Sequence, residues 1–312
     1  MLLSSCGVYK KYDRPTVNTK GLYRDVANDL DTLVSADTTT LGSTPWREVF
    51  TDSKLQALID SALVNNSDLL TAALSVKQVE ATLISAKLAF FPSFVFAPNG
   101  ALSSWDHSKA TQTYSLPIQA SWSLDLFGNL LTVKRAQQAT LIQARDYQRA
   151  VRTSIIANVA NCYYTLLMLD EQLRITKETE QLSFRTWQTM QDMKKYYGYN
   201  ETSVLSSKAN YLSVKASIPE IERQIREGEN SLSLLLAQAP AHIDRGTFDG
   251  QKLPENLRVG VGIQVLANRP DVHAKEMALA NCFYNTANAR AAFYPGITIT
   301  GSAAWTNSSG SG

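Results

Sequence analysis

Between Asn129 and Tyr197 the chain runs for 69 residues without a glycine or a proline, the two residues that most readily end a helix. Ala, Leu, Gln, Arg and Glu dominate this stretch. An average globular helix has about 11–12 residues, so the segment predicts one continuous rod, roughly 100 Å long at 1.5 Å per residue. Its apolar residues Leu141, Val151, Ile155, Val159, Leu166, Leu173 and Leu182 fall mostly three, four or seven apart. Such a stripe packs helix against helix rather than binding a ligand. A break follows at Tyr197, Gly198, Tyr199 and Asn200, and a second helix is expected from Ser203 to about Ala237, kinked at Pro219. Two long helices joined by a short turn make an antiparallel hairpin that exceeds what a compact domain needs.

Ahead of the rod lies the most regular pattern in the chain. Tyr114, Leu116, Ile118, Ala120, Trp122, Leu124 and Leu126 are apolar at even positions, whereas Ser115, Gln119, Ser121, Ser123 and Asp125 are polar at odd ones. Strict alternation predicts a strand with one greasy and one wet face. With the less regular run from Ser93 to Trp105 it reads as a hairpin of about the length that crosses a bilayer as tilted strands. Alternation alone leaves open a half-buried hairpin on a soluble core. Pro117 interrupts the pattern, and lacking a donor it belongs where the ladder needs no bond.

The chain also repeats itself. Residues 62–96 match residues 265–299 at a constant offset of 203. Leu63, Asn65, Asp68, Ala86, Ala89, Phe90 and Pro92 equal Leu266, Asn268, Asp271, Ala289, Ala292, Phe293 and Pro295, clustered where helix caps and turns limit choice. After Pro295 the alternation resumes, with Ile297, Ile299, Ala303 and Trp305 facing one way and Thr298, Thr300 and Thr306 the other. The expected organisation is therefore a residual signal and lipobox at 1–6, then an extended arm and helix at 7–61. A first repeat spans 62–261, with a helix, a β-hairpin at 93–127, a helical hairpin at 129–237 and a linker; the start of a second, with a helix and one strand, spans 262–312. A further hairpin and rod pair is expected beyond Gly312, which reads as a truncation. Open sheet edges are not tolerated in lipid, and so few strands cannot close a barrel, so several chains are expected to share one.

Composition removes other classes. The chain of 312 residues is 44% apolar and 19% charged, ordinary globular values. A net charge of +2 with dispersed Lys and Arg gives no patch to neutralise phosphates, so nucleic acid is not an expected partner. Without an apolar run of 18 residues there is no transmembrane helix, and any membrane passage falls to strands or a lipid. Cys162 and Cys282 lie among apolar helix positions and read as buried thiols. Cys6 closes Leu3, Ser4, Ser5 and precedes Gly7, a pattern like the bacterial lipobox whose cysteine is acylated; a stray terminal cysteine is the bland alternative. His107, His242 and His273 lack metal spacing, and no HExxH, GxSxG or Walker A pattern occurs, so no enzyme, metal site or cofactor is expected beyond a covalent N-terminal lipid.

Trp122, Ser123, Leu124, Asp125, Leu126, Phe127 and Gly128 together resemble the strand-to-helix corner of outer-membrane efflux proteins of the TolC and OprM kind. Leu266, Ala267, Asn268, Arg269, Pro270, Asp271 and Val272 resemble the helix start of their second repeat. Trp46, Phe50, Asp52 and Leu55, the Ile218–Pro219 pair, and Glu229, Asn230 and Leu232 are similar to further family positions, so the likeness spans the chain from about residue 40. It implies a mainly α fold with membrane β-hairpins: a homotrimer sharing a twelve-stranded β-barrel above a TolC-like α-helical barrel, with the second structural repeat incomplete here. It also implies an outer-membrane lipoprotein acylated at Cys6 (palmitate), a periplasmic adaptor contacting the tip at Gly198, Tyr199, Asn200, Glu201 and Thr202, and an inner-membrane RND-type pump. Tyr114, Leu116, Ile118, Trp122, Ile297, Ile299 and Trp305 would face the bilayer. Asp125, Phe127, Gly128, Arg269, Pro270 and Asp271 would shape the corners and helix starts; Asp125 either lines the lumen or caps the rod. The function implied is passive conduction of drugs or toxic solutes. The alternatives are an exit duct for type I protein or peptide secretion, and a periplasmic coiled-coil adaptor or scaffold without a pore.

Overall fold

The computed structural model describes residues 10–15, 45–104, 106, 110–198, 200–251 and 269–309. In chain order the elements are α1 (Trp46–Val49), α2 (Ser53–Asn65), α3 (Ser67–Leu88), β1 (Ser93–Phe96), β2 (Asn99–Ser103), β3 (Thr111–Leu124), α4 (Asn129–Tyr197), α5 (Glu201–Leu235), a 3-10 turn at Phe248–Gly250, α6 (Pro270–Ala291) and β4 (Ile297–Ser309). The fold is mainly helical with strands, as expected; the expected hairpin and single strand appear as four strand segments because the first hairpin strand is split into β1 and β2. The rod runs without interruption from Asn129 to Tyr197.

The described residues fall into two units that draw on distant parts of the sequence. One gathers residues 10–15, 72–148 and 269–309; the other gathers 45–71 and 149–251. Of the expected extended arm, residues 10–15 are described, and Cys6 and most of the expected linker, residues 252–261, lie outside the described residues.

In the first unit the two repeats align closely: α6 begins and ends 203 residues after α3, as the offset predicts. The two helices nevertheless bury different faces. α3 buries Ala72, Val76 and Leu83, the latter two packing with Leu141 of α4, whereas α6 buries Ala280, Ala287 and Ala291. Small residues let α6 approach α4 closely enough for Asn281 Nδ2 to reach the Ala136 carbonyl at 3.1 Å and Thr140 Oγ1 at 2.8 Å. Cys282 falls off that seam and is exposed, so the expectation of a buried thiol there is corrected.

The second unit is built around a core in which Tyr163, Leu166, Leu232, Leu55 and Ile59 are fully buried. Leu141, Ile155, Val159 and Leu166 of the expected stripe are buried, but Leu182 is 63% exposed and Ser183 takes the inward position. The periodicity of a straight helix, 3.6 rather than 3.5 residues per turn, moves the contact face off the heptad register. The helix expected within 7–61 is divided: Phe50 ends α1, and Asp52 caps α2 by accepting from Lys54 N at 2.8 Å. α5 passes through Pro219 without a break in helix assignment and starts at Glu201, two residues earlier than expected.

Two polar clusters tie the segment after α5 to this core. The Tyr163 hydroxyl donates to Asp52 and accepts from Gly246 N at 2.9 Å, and Gln251 Nε2 donates to Asp52 at 2.9 Å. Arg245 donates to both Asp170 and Glu229, and His242 also meets Glu229. Burial opposes ionisation of Asp52, but the bonds from Tyr163, Gln251 and the backbone of Lys54 and Leu55 outweigh it and hold its carboxyl below the ordinary range. Burial likewise opposes ionisation of Glu229, and Arg245 with His242 overcomes it. Burial, then the bond to Asp52, pushes the Tyr163 phenol up.

A carboxyl whose folded pKa is depressed stabilises the fold fully above its unfolded pKa of about 4 and loses that contribution as pH falls through the folded value. The expected result is a melting temperature that drops between about pH 4 and more acid conditions, with Asp52→Asn and Glu229→Gln removing part of that slope. A pH profile of thermal unfolding with the same slope in the variants as in the parent would refute the assignment.

Candidate membrane ribbon and helical tip

The sheet is organised on β3. β1 and β2 pair with one edge of it in a single register, Ser93 with Ser121 through Phe96 with Ile118, then Asn99 with Ser115 through Ser103 with Thr111. The gap at Ala97 and Pro98 lies opposite Pro117, where two residues without an amide donor leave the ladder thin. Ala97 N still reaches the Pro117 carbonyl at 3.4 Å. Pro117 thus sits opposite the break between β1 and β2, where the ladder on that edge is interrupted. β4 pairs antiparallel along the other edge, from Gln112 with Ser309 to Leu124 with Ile297.

Because opposed residues share a face, this register sorts all four strands at once. Trp122 sits beside Ile299, Leu116 beside Trp305, Leu124 beside Ile297, and Phe96 beside Ile118. Tyr114, Leu116, Ile118, Trp122, Ile297, Ile299 and Trp305 therefore form one continuous apolar surface. Phe94, Phe96 and Leu102 extend it; their shared parity with Ile118 was the signal in the less regular run. This surface has no core beneath it: Ile118 is 51%, Ile299 53% and Trp305 72% exposed. The opposite face carries Ser121 beside Thr300, Ser123 beside Thr298 and Gln119 beside Ser302. Ser123 and Thr298 hydroxyls meet at 3.4 Å.

The strand-to-helix corner is fixed by specific bonds. Asp125 accepts from Leu130 N at 3.1 Å and Leu131 N at 2.8 Å, which assigns it to capping the rod. Gly128 adopts φ 76°, where a side chain would be strained. Phe127 stacks on Tyr294 with centroids 4.9 Å apart, and Trp122 Nε1 donates to the Phe90 carbonyl at 3.0 Å. Neither Tyr294 nor the Phe90 carbonyl was singled out by sequence, though the repeat aligns Phe90 with Phe293 beside Tyr294. At the start of α6, Pro270 takes the first turn and Asp271 pairs with Arg269 at 2.7 Å, a helix-initiation role. Asp125→Ala is expected to cost about 0.5–2 kcal/mol of stability, while Asp125→Asn retains most of it. Thermal unfolding of the two variants checks this; equal losses would contradict the cap.

In the second unit, α4 ends where Gly198, at φ 67°, turns the chain and donates to the Lys194 carbonyl at 3.2 Å. Asn200 caps α5 by accepting from Thr202 N at 3.1 Å, and Lys194 pairs with Glu201 across the turn. Glu201 and Thr202 therefore belong to the first turn of α5 rather than to the loop, because the Asn200 cap starts the helix early. Tyr199 lies outside the described residues. Among the described residues no helix is long and apolar enough to cross a membrane, and no group of His, Cys, Asp and Glu is placed to hold a metal.

Residues 58–238 match the family model described as outer membrane efflux protein. The chain belongs to the outer membrane efflux protein family. It is 28% identical over 316 residues to the cation efflux system protein CusC of Escherichia coli O6:H1, covering 96% of this chain and 65% of that protein. It is 28% identical over 315 residues to the probable outer membrane lipoprotein SilC of Salmonella typhimurium, with the same coverage. A crystal structure of CusC superposes with a TM-score of 0.78 at 25% identity, covering 96% of this chain and 66% of that one. The chain thus spans about two thirds of the length of these efflux proteins. The mainly helical fold with a strand ribbon and long helical hairpin, expected from the family resemblance, is found in this chain.

Proposed function

We propose that this protein is the outer-membrane channel subunit of a tripartite efflux system, conducting toxic solutes passively to the exterior and catalysing nothing. The observation that carries the reading is the sheet whose apolar face is aligned across four strands and left bare. A soluble hairpin would cover that face; lipid covers it at no cost. Tyr114 to Trp122 spans about 26 Å at 3.3 Å per residue, of the order of the apolar band of about 25 Å in outer-membrane barrels.

The free edges of this sheet require partners: β1 and β2 are successive pieces of one strand, so three strands lie side by side here, and three protomers giving four strands each, one of them beyond this ribbon, would make the twelve-stranded barrel. The helical turn from Gly198 to Thr202 is the proposed contact for a periplasmic adaptor, which links the duct to an RND-type inner-membrane pump. CusC's name points to cations as cargo; with selection left to the pump, drug-like solutes and cations are the proposed substrate classes.

Cys6 is the proposed acylation site, anchoring the protein in the outer membrane, as SilC's description as a lipoprotein supports. Arg14 forms a double hydrogen bond with Glu276, Tyr12 N donates to the Tyr284 hydroxyl, and Arg135 Nη1 donates to the Lys10 carbonyl at 3.5 Å. The arm thus runs from Glu276 toward Tyr284, in the direction of the corner where α6 gives way to β4. The four residues back to Cys6 reach at most about 14 Å further. Full-length protein carrying Cys6 is expected to take up radiolabelled palmitate and to form heat-resistant trimers that conduct ions in planar bilayers; Cys6→Ser loses the label. A monomer recovered from the soluble fraction, unlabelled and non-conducting, would overturn the proposal.

A further inference from the structure

We infer that the wet face of the ribbon made by β1, β2, β3 and β4 is electrically neutral, so that this part of the duct's wall favours neither cations nor anions. The inference rests on the channel reading above. None of the described strand residues in β1, β2, β3 or β4 carries a charge. The wet face offers mostly hydroxyls and amides instead, with Ser121 beside Thr300, Ser123 beside Thr298 and Gln119 beside Ser302, and Val95, Ala101, Pro117 and Ala304 as its uncharged apolar members.

Two described carboxylates flank the ribbon along the chain, Asp106 between β2 and β3 and Asp125 immediately after β3; Asp125 is the one tied to the rod. Both of its oxygens are engaged by the amides of Leu130 and Leu131, and it faces the partial positive charge of a helix N-terminus. Its field is absorbed by the rod that it caps. The helices, by contrast, are rich in charge on their exposed faces, as with Arg174 between Glu171 and Glu178 and Arg223 between Glu220 and Glu227. The strand ribbon, unlike these helices, therefore offers a passenger an uncharged hydrogen-bonding ladder. Hydroxyls donate and accept, so they replace the hydration of either sign of ion without preferring one.

The test measures local potential directly. Full-length Ser121→Cys protein, and independently Thr300→Cys, is treated on intact cells with a cationic and an anionic methanethiosulfonate. Modification is read at that residue by peptide mass, so that Cys162 and Cys282 do not confound it. After normalisation to a free thiol in solution, the two reagents are expected to react at the same rate within about threefold, the scatter of a weak residual potential. Adding Thr300→Asp to the Ser121→Cys protein is expected to shift the ratio roughly tenfold toward the cationic reagent, since one charge across a strand pair acts with opposite sign on the two. Asp125→Asn is expected to leave the ratio unchanged. A tenfold bias in the parent wall, or a comparable shift on Asp125→Asn, overturns the neutral wall while leaving the channel standing. Failure of both cysteines to react, in protein recovered from the outer membrane, shows that the wall is dry and removes the channel reading itself.

Discussion

Lysine in place of Ile118 is expected to abolish recovery of the proposed trimer from the outer membrane. Ile118 lies midway along β3, between Phe96 on one neighbouring strand and Ala303 on the other, on the bare apolar face. A lysine at the bilayer midplane costs about 2–4 kcal/mol on the lipid face of a barrel. Three copies of the change would cost about 6–12 kcal/mol per trimer, comparable to the entire stability of a typical domain. Gln119→Lys is the control: Gln119 adjoins Ile118 but faces the wet side, beside Ser302, where the ammonium keeps its water. The measurement is the yield of heat-resistant oligomer in outer-membrane fractions. Normal yield for Ile118→Lys together with loss for Gln119→Lys would mean that the faces have been assigned the wrong way round.

Arg245→Ala is expected to give the largest loss of stability in the second unit. The Arg245 side chain is only 8% exposed and donates to Asp170, Glu229 and the Ile243 carbonyl. Its removal leaves Glu229, itself 12% exposed, without its guanidinium partner. Breaking a buried pair from one side costs about 3–5 kcal/mol; Asp170, 38% exposed, recovers some hydration, which places the expectation toward the lower end. Arg245→Lys keeps the charge but cannot reach both carboxylates in the fork geometry, and loses an intermediate amount. Adding Glu229→Gln to Arg245→Ala removes the uncompensated charge and is expected to restore part of the loss. Urea midpoints at unchanged slope measure each step. Additive losses in the double variant would show that the two groups do not interact.

The elements legible in the sequence are those whose signal is local and repeated many times. The rod could be bounded to the residue at both ends, because glycine and proline are absent between Asn129 and Tyr197 and Gly128 and Gly198 flank it. The faces of β3 and β4 follow from parity alone, and the offset of 203 by itself places α6. Where a single residue competes with a pattern, the reading slipped. Asn200 starts α5 ahead of Ser203, and Phe50 divides α1 from α2 despite the helical spacing around them.

Sequence by itself therefore determined the long helices, the two-faced strands and the repeat, since each is a periodicity that a chain must satisfy before it packs. It could not determine which side of each helix meets its neighbour. α3 and α6 share their ends and several residues, yet one buries Val76 and Leu83 and the other Ala280 and Ala287. Both flank α4, and a face is chosen by the surface opposite it rather than by the helix that carries it. For the same reason the role of Asp125, the clasp of Arg245 on Asp170 and Glu229, and the stack of Phe127 on Tyr294 waited on the tertiary structure. Each joins groups whose separation in space no spacing along the chain encodes.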